Sequence, residues 1–190
     1  MLSVRAKGFS LIEVLISILI LTLGAVGAIG LQLASIRTSQ QSAFHAIAVN
    51  LANELAEKMR ANDTQMKLPD GLNVFSSIKY NALTDGNPSS SVLCYSSLAN
   101  CNPTELAKAD IYEWLTRIKN SLPGAHVVVC RDLAPYDESK KKLTWTCSSD
   151  GSASFVIKIG WSAKNLDGTL IEKDAIAPPN LAIAVESYIK

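Results

Sequence analysis

Charge is nearly balanced in this 190-residue chain: 18 Lys and Arg stand against 17 Asp and Glu, a formal net charge of +1. Without a basic excess it lacks the electrostatic footprint of a dedicated nucleic-acid binder. With 48% hydrophobic residues it is equally unlike the charge-rich, apolar-poor composition of a disordered protein. Metal-ligand chemistry is thin as well, because no two of the four cysteines have the C-x₂-C spacing and only His45 and His126 could join them. A catalytic pairing of His126 with Cys130 would place both along one strand with the thiol in a disulfide, so no nucleophile–base constellation is left. No cofactor or metal is expected, and a membrane-anchored periplasmic enzyme is disfavoured. The length suits one globular core with an appendage.

Acidic residues are absent before the first apolar segment, and between Lys7 and Arg37 the only ionisable residue is Glu13. Phe9–Ile36 is therefore apolar over more than the roughly 20 residues that a membrane span requires. Arg5 and Lys7 precede it, so the positive-inside bias predicts a cytoplasmic N-terminus and export of everything after Arg37. A cleaved secretory signal would end in small residues followed by polar mature chain. Here neither Pro nor Gly interrupts Leu31 to Ala61, and Phe44, Ile47, Leu51, Leu55 and Met59 recur at helical spacing. The sequence thus predicts one helix from about Phe9 to Arg60, apolar all round in its first half and one-sided in its second.

An ionised Glu13 at membrane depth costs about 2.5 kcal/mol or more and marks a functional-site candidate. It needs a cation unless the carboxylate snorkels to the cytoplasmic interface. Gly24, Gly27 and Gly30, three apart, offer either a surface for close helix approach or ordinary glycine tolerance in a membrane helix.

Residues 62–101 carry Pro69-Asp70-Gly71, Asp85-Gly86-Asn87-Pro88 and Ser89–Ser91, which predict a long surface connection. Tyr80, Leu83, Val92 and Leu93 could tack it down, and a short strand around Leu72–Tyr80 is allowed. Asn102-Pro103-Thr104-Glu105 is a helix start with a capping box, predicting a helix to Leu122 that buries Leu106, Trp114, Leu115, Ile118 and Leu122. Period-2 alternation then predicts four strands: Val127 and Val129; Leu143, Trp145 and Cys147; Phe155, Ile157, Ile159 and Trp161; Leu181, Ile183 and Val185. Ser148–Gly151 reads as a hairpin turn between the second and third. The fold class is α+β: a long N-terminal helix packed on a small, mainly antiparallel four-stranded sheet with an additional helix.

Cys94, Cys101, Cys130 and Cys147 all follow the span, in the compartment that this topology makes oxidising. Three pairings are open. Cys94–Cys101 would close a surface loop and Cys130–Cys147 would cross-link the first two strands, worth about 2.4 and about 3.1 kcal/mol in the chain-entropy model. Lys140–Lys142 reads as a solvated loop or as a contact for anionic lipid, DNA or a partner.

The run Lys7-Gly8-Phe9-Ser10-Leu11-Ile12-Glu13-Val14-Leu15 resembles the leader and helix start of the type IV pilin superfamily. The resemblance implies cleavage by a prepilin peptidase between Gly8 and Phe9 and N-methylation of the new Phe9 amine. It also implies that Glu13 pairs with the Phe9 ammonium of a neighbouring subunit during assembly, its own Phe9 being the alternative. Segments are then expected as a leader at 1–8, a transmembrane and filament-core helix at 9–36, its amphipathic continuation at 37–61 and a periplasmic head at 62–190. Cys94, Cys101–Ala107, Asp110–Trp114 and Leu122-Pro123-Gly124 before Val129-Cys130 further resemble the minor pilins of the type IV pilus modification protein PilV family. That likeness implies a non-enzymatic subunit that primes or modifies pilus assembly and influences adhesion and twitching. Its partners would be other minor pilins, the major pilin, the prepilin peptidase, the inner-membrane assembly platform and, in some lineages, a tip adhesin. It would sit in the inner membrane until assembled into a pilus at the cell surface. A type II secretion pseudopilin and a DNA-binding competence pilin are the alternatives.

Overall fold

A computed structural model describes residues 8, 10–89, 93–95, 100–148, 151–162 and 177–185. The chain divides into two compact units, Met1–Ser42 and Ala43–Lys190. Helix α1 (Leu11–Ala61) contributes its beginning to the first and its end to the second. In the first unit every described helical residue is exposed, with large apolar side chains such as Leu11, Leu15, Leu19, Leu23 and Leu31 on its surface. The helix is long and apolar enough to cross a membrane. Its hydroxyls bond back to the helix: Ser17 Oγ donates to Glu13 O at 2.7 Å and Thr22 Oγ1 to Leu19 O at 2.8 Å. These two hydroxyls are thereby satisfied without water.

The second unit is built around the other part of α1. Leu51, Leu55 and Met59 are buried as the periodicity predicts, and so are Ala48, Ala52 and Ala56, whose small side chains let the helix backbone lie close to its neighbours. α2 (Asp63–Met66) and a 3₁₀ turn (Val74–Ser77) lead into β1 (Lys79–Asn81). α3 (Pro103–Ser121) opens on the predicted capping box, with Asn102 Oδ1 accepting from Thr104 and Glu105 N and Glu105 Oε2 accepting from Asn102 N at 2.9 Å. Trp114 locks α3 to α1, its indole N–H donating to Leu51 O at 2.7 Å in the core. Lys58 of α1 reaches Asp110 at 2.9 Å and Glu113 at 3.3 Å, and Arg117 reaches Glu54 at 2.7 Å, fixing the register of the two helices.

β1, β2 (His126–Arg131), β5 (Phe155–Gly160) and β6 (Leu181–Val185) form one sheet in that order, antiparallel throughout. β3 (Tyr136–Asp137) and β4 (Lys142–Leu143) make a separate hairpin. The front face of the sheet carries Val127, Val129, Phe155, Ile157, Ile159 and Val185, all in one core cluster with α1 and α3. At about 1.5–3 kcal/mol for each large apolar side chain withdrawn from water, this cluster is the main source of stability. The α+β fold with a four-stranded antiparallel sheet is the predicted one, but its membership differs. Leu143, Trp145 and Cys147 do not form a strand of the sheet; β1 takes the fourth place, so β2 pairs directly with β5.

The missing strand has another role. Residues 132–148 fold back over the far side of the sheet, where Cys130, Val128 and His126 of β2 stand opposite Val156, Lys158 and Gly160 of β5. There Cys147 is bonded to Cys130, Thr146 O accepts from Lys158 Nζ at 2.5 Å, and the Trp145 ring stacks on His126 at 4.1 Å. Chain that crosses a sheet with alternate side chains pointing down mimics a strand, which is why the periodicity misassigns it. Because this layer covers the back, all six residues of β5 are buried. The bridge from Cys130 therefore joins β2 to the back layer, not to a neighbouring strand.

Other expectations change for equally local reasons. Residues 62–81 are no mere surface connection, since Gln65, Phe75, Ile78 and Tyr80 are buried. Leu83 and Leu93 are exposed instead of tacking the segment down, and Val92 and the residues 149–150 of the anticipated hairpin turn lie outside the described residues. Leu106 is 45% exposed, because it stands about 80° around α3 from Trp114 while Ala107 takes the inward position.

Candidate processing and assembly site

The residues singled out at the N-terminus lie around the start of α1. Gly8 is exposed and has nothing within 4 Å of where a Cβ would stand, so this chain alone does not explain why the position lacks a side chain. Phe9 lies outside the described residues. Ser10 O accepts from Glu13 N at 3.0 Å and from Val14 N at 3.3 Å, which starts α1. Glu13 is thereby an exposed acid in the first helical turn, where the unpaired N–H groups and the macrodipole favour an anion by about 0.3–1 kcal/mol. Ser10-Leu11-Ile12-Glu13 has the Ser-x-x-Glu spacing of a capping box, a signal for the helix start that the apolar pattern overshadows. The geometry is that of an exposed carboxylate in the first turn of an apolar helix, five residues after Gly8.

Downstream, α1 is unbroken through Gly24, Gly27 and Gly30, and a Cβ at any of the three would meet nothing within 4 Å. The four cysteines all lie in the second unit: Cys94 pairs with Cys101, Cα atoms 6.1 Å apart, and Cys130 with Cys147, 6.0 Å apart.

The rival sites have no comparable geometry. Cys130 is a disulfide partner, and His126 is stacked on Trp145 with its imidazole held below its ordinary value by burial, which Asp85 only partly counters. Among the described residues, no three His, Cys, Asp or Glu side chains are grouped to hold a metal ion. In the Lys140–Lys142 run, Lys140 pairs with Asp137 at 3.1 Å and Lys142 belongs to β4. An open depression of about 400 Å³ lies in the second unit beside Asp70, Asn73, Ser77 and Ser148. Its one cation, Arg131, is already bonded to Asp70 at 2.8 Å and Ala153 O at 2.7 Å and stacked over Phe155.

Against known proteins, residues 4–29 match the family model described as the prokaryotic N-terminal methylation motif. That match takes in Arg5, Lys7, Gly8, Glu13 and the apolar segment as far as Ile29, and it supports a type IV pilin-like protein of a pilus or pseudopilus system. Neither a curated protein nor a solved structure matches the chain.

Proposed function

We propose that the chain is a minor pilin, a non-enzymatic subunit that primes or modifies a type IV pilus and so influences adhesion and twitching. The observation that carries this reading is the motif at residues 4–29, continuous with an apolar helix that runs on into the head unit instead of ending at a cleavage site for export. In this reading a prepilin peptidase cuts between Gly8 and Phe9 and the Phe9 amine is methylated. The mature protein waits in the inner membrane, held by residues 9–36, with residues 62–190 in the periplasm. Assembly machinery then extracts it to join other minor pilins and the major pilin, with a tip adhesin as a further partner.

Glu13 is the residue that makes extraction selective. Its charge is costly in lipid and repaid when the Phe9 ammonium of an adjacent subunit meets it, so a subunit enters in the register that brings the two together. The second half of the proposal, a minor rather than a major subunit, is supported by the position of the cysteines: the last is Cys147, so no bridge closes a C-terminal loop.

Glu13→Ala tests the assembly role directly. The variant should insert and lose residues 1–8 as the wild type does, while its recovery in sheared pili, or piliation dependent on minor pilins, falls. Entry into pili at wild-type levels would refute an intersubunit Glu13 and leave its own amine as the partner. Loss of protein secretion with pili unaffected would instead assign the chain to a pseudopilus.

A further inference from the structure

The back layer of the second unit contains a buried charge. Lys158 lies inside the apolar run Phe155–Trp161, and its side chain is fully buried. An ammonium in such a place must be paired and hydrogen-bonded or it is strongly unfavourable. Its partners are Asp132 Oδ2 at 2.5 Å, itself 4% exposed, and Thr146 O at 2.5 Å. Both belong to the segment 132–148, one at its hinge and the other in its returning arm. Thr146 is adjacent in sequence to Cys147, and Asp132 follows Cys130 by two residues.

Three contacts line up on this face. Cys147 stands on Cys130 beside Val156, Thr146 on Lys158 beside Val128, and Trp145 on His126 beside Gly160. The disulfide is the only covalent fastening of the three. The hinge end stays with the sheet without it, because Asp132 N donates to Ser154 O at 3.1 Å. The returning arm is held otherwise by the Trp145 stack, by Trp145 Nε1 donating to Ala177 O at 2.5 Å, by the Lys158 bond, and by Ser148 Oγ, which donates to Arg131 O at 3.3 Å and accepts from Leu133 N at 3.1 Å. Opening the arm would let water reach a charged pair whose burial costs both ions their hydration.

We propose that Cys130–Cys147 is a redox clasp: oxidation closes residues 132–148 over the Lys158–Asp132 pair, and reduction releases the arm and exposes the ammonium while the front core stays folded. The chemistry balances with a dithiol as reductant. Its two electrons and two protons convert the bridge to two thiols, and the reductant leaves as its own disulfide. The front core has independent support in α1, α3 and the front face of the sheet, so the change is confined to the back layer. The head thus completes this layer only in an oxidising compartment.

The test is reductive methylation of the full chain in detergent, with and without a dithiol, read by peptide mass spectrometry alongside amide exchange. In the oxidised protein Lys158 should react at least about tenfold more slowly than Lys140, which is 64% exposed. After reduction, with both thiols shown free by alkylation, Lys158 should react at a rate near that of Lys140 and amides 143–147 should lose protection, while those of α3 keep theirs. A paired neutral variant, Lys158→Met with Asp132→Asn, removes the charges and keeps an acceptor for Ala134 N, which Asp132 Oδ1 serves at 3.0 Å. Its arm should remain protected on reduction. Continued protection of Lys158 in the reduced wild type overturns the clasp. So does loss of α3 protection at the same time, or equal opening in the neutral variant. An intact mass lower by one water, the mark of an amide between Lys158 and Asp132, would overturn the ion pair itself.

Discussion

Gly160→Ala probes the tightest contact of the back layer. A Cβ at this position would stand 2.9 Å from Trp145 Cζ2 and 3.1 Å from Cη2, inside the distances that carbon atoms adopt. The indole must retreat by about half an ångström or more to restore van der Waals contact. It cannot do so freely, because its ring is stacked on His126 at 4.1 Å and its N–H is bonded to Ala177 O. Overpacking of this kind costs about 1–3 kcal/mol. Against that stands a gain of about 0.4–1 kcal/mol, since Ala narrows the unfolded ensemble and the backbone here needs no glycine conformation. The net expectation is a loss of about 1–2 kcal/mol, or roughly 3–6 °C in Tm for a unit of this size. Denaturant titration of the full chain in detergent would measure it. The sign should reverse in a Trp145→Ala background, where the same substitution has nothing to strike and should stabilise by the unfolded-state term alone. Equal effects in the two backgrounds would refute the claim that Gly160 is there to admit Trp145.

Three further outcomes test the proposed processing, the core and the back layer. Gly8→Arg should leave residues 1–8 attached, as mass spectrometry of membrane-extracted protein would show; a free, methylated Phe9 in that variant would end the assignment of the cleavage site. Leu55→Ala, at a position with no exposure, should cost about 2–5 kcal/mol in a denaturant titration, whereas Leu106→Ala, at an exposed position of α3, should cost well under 1 kcal/mol. His126 is held below its ordinary value in the fold, so the unfolded chain takes up its proton first; stability from this group is present above about pH 6.5 and falls as the pH drops through and below that value. His126→Phe, which keeps a ring against Trp145, should flatten the decline in Tm between about pH 7 and pH 5, while the contribution of Asp85, whose carboxyl is held low by Thr84 and Asn81, is lost only in more acid solution.

Features that depend on local pattern and composition are legible in the chain before it folds. The apolar run with a single acid at Glu13, the unbroken helix into an amphipathic stripe, and the capping box at Asn102–Glu105 are all written in neighbouring residues, and the structure realises each of them as a helix or a helix end. Period-2 alternation likewise identified β2, β5 and β6, because one face of each strand is buried against the front core. What covers the other face depends on residues distant in the chain. Phe155, Ile157 and Ile159 announce a half-buried strand, and Lys158 between them looks like its wet side; only the return of residues 132–148 makes that side dry. The same return explains why Leu143, Trp145 and Cys147 mimic a strand without pairing as one, and why β1, three residues long and flanked by turn signals, holds the sheet edge instead. Alternation records which way side chains point, not which surface they meet, and that surface is set by contacts between residues far apart in the chain.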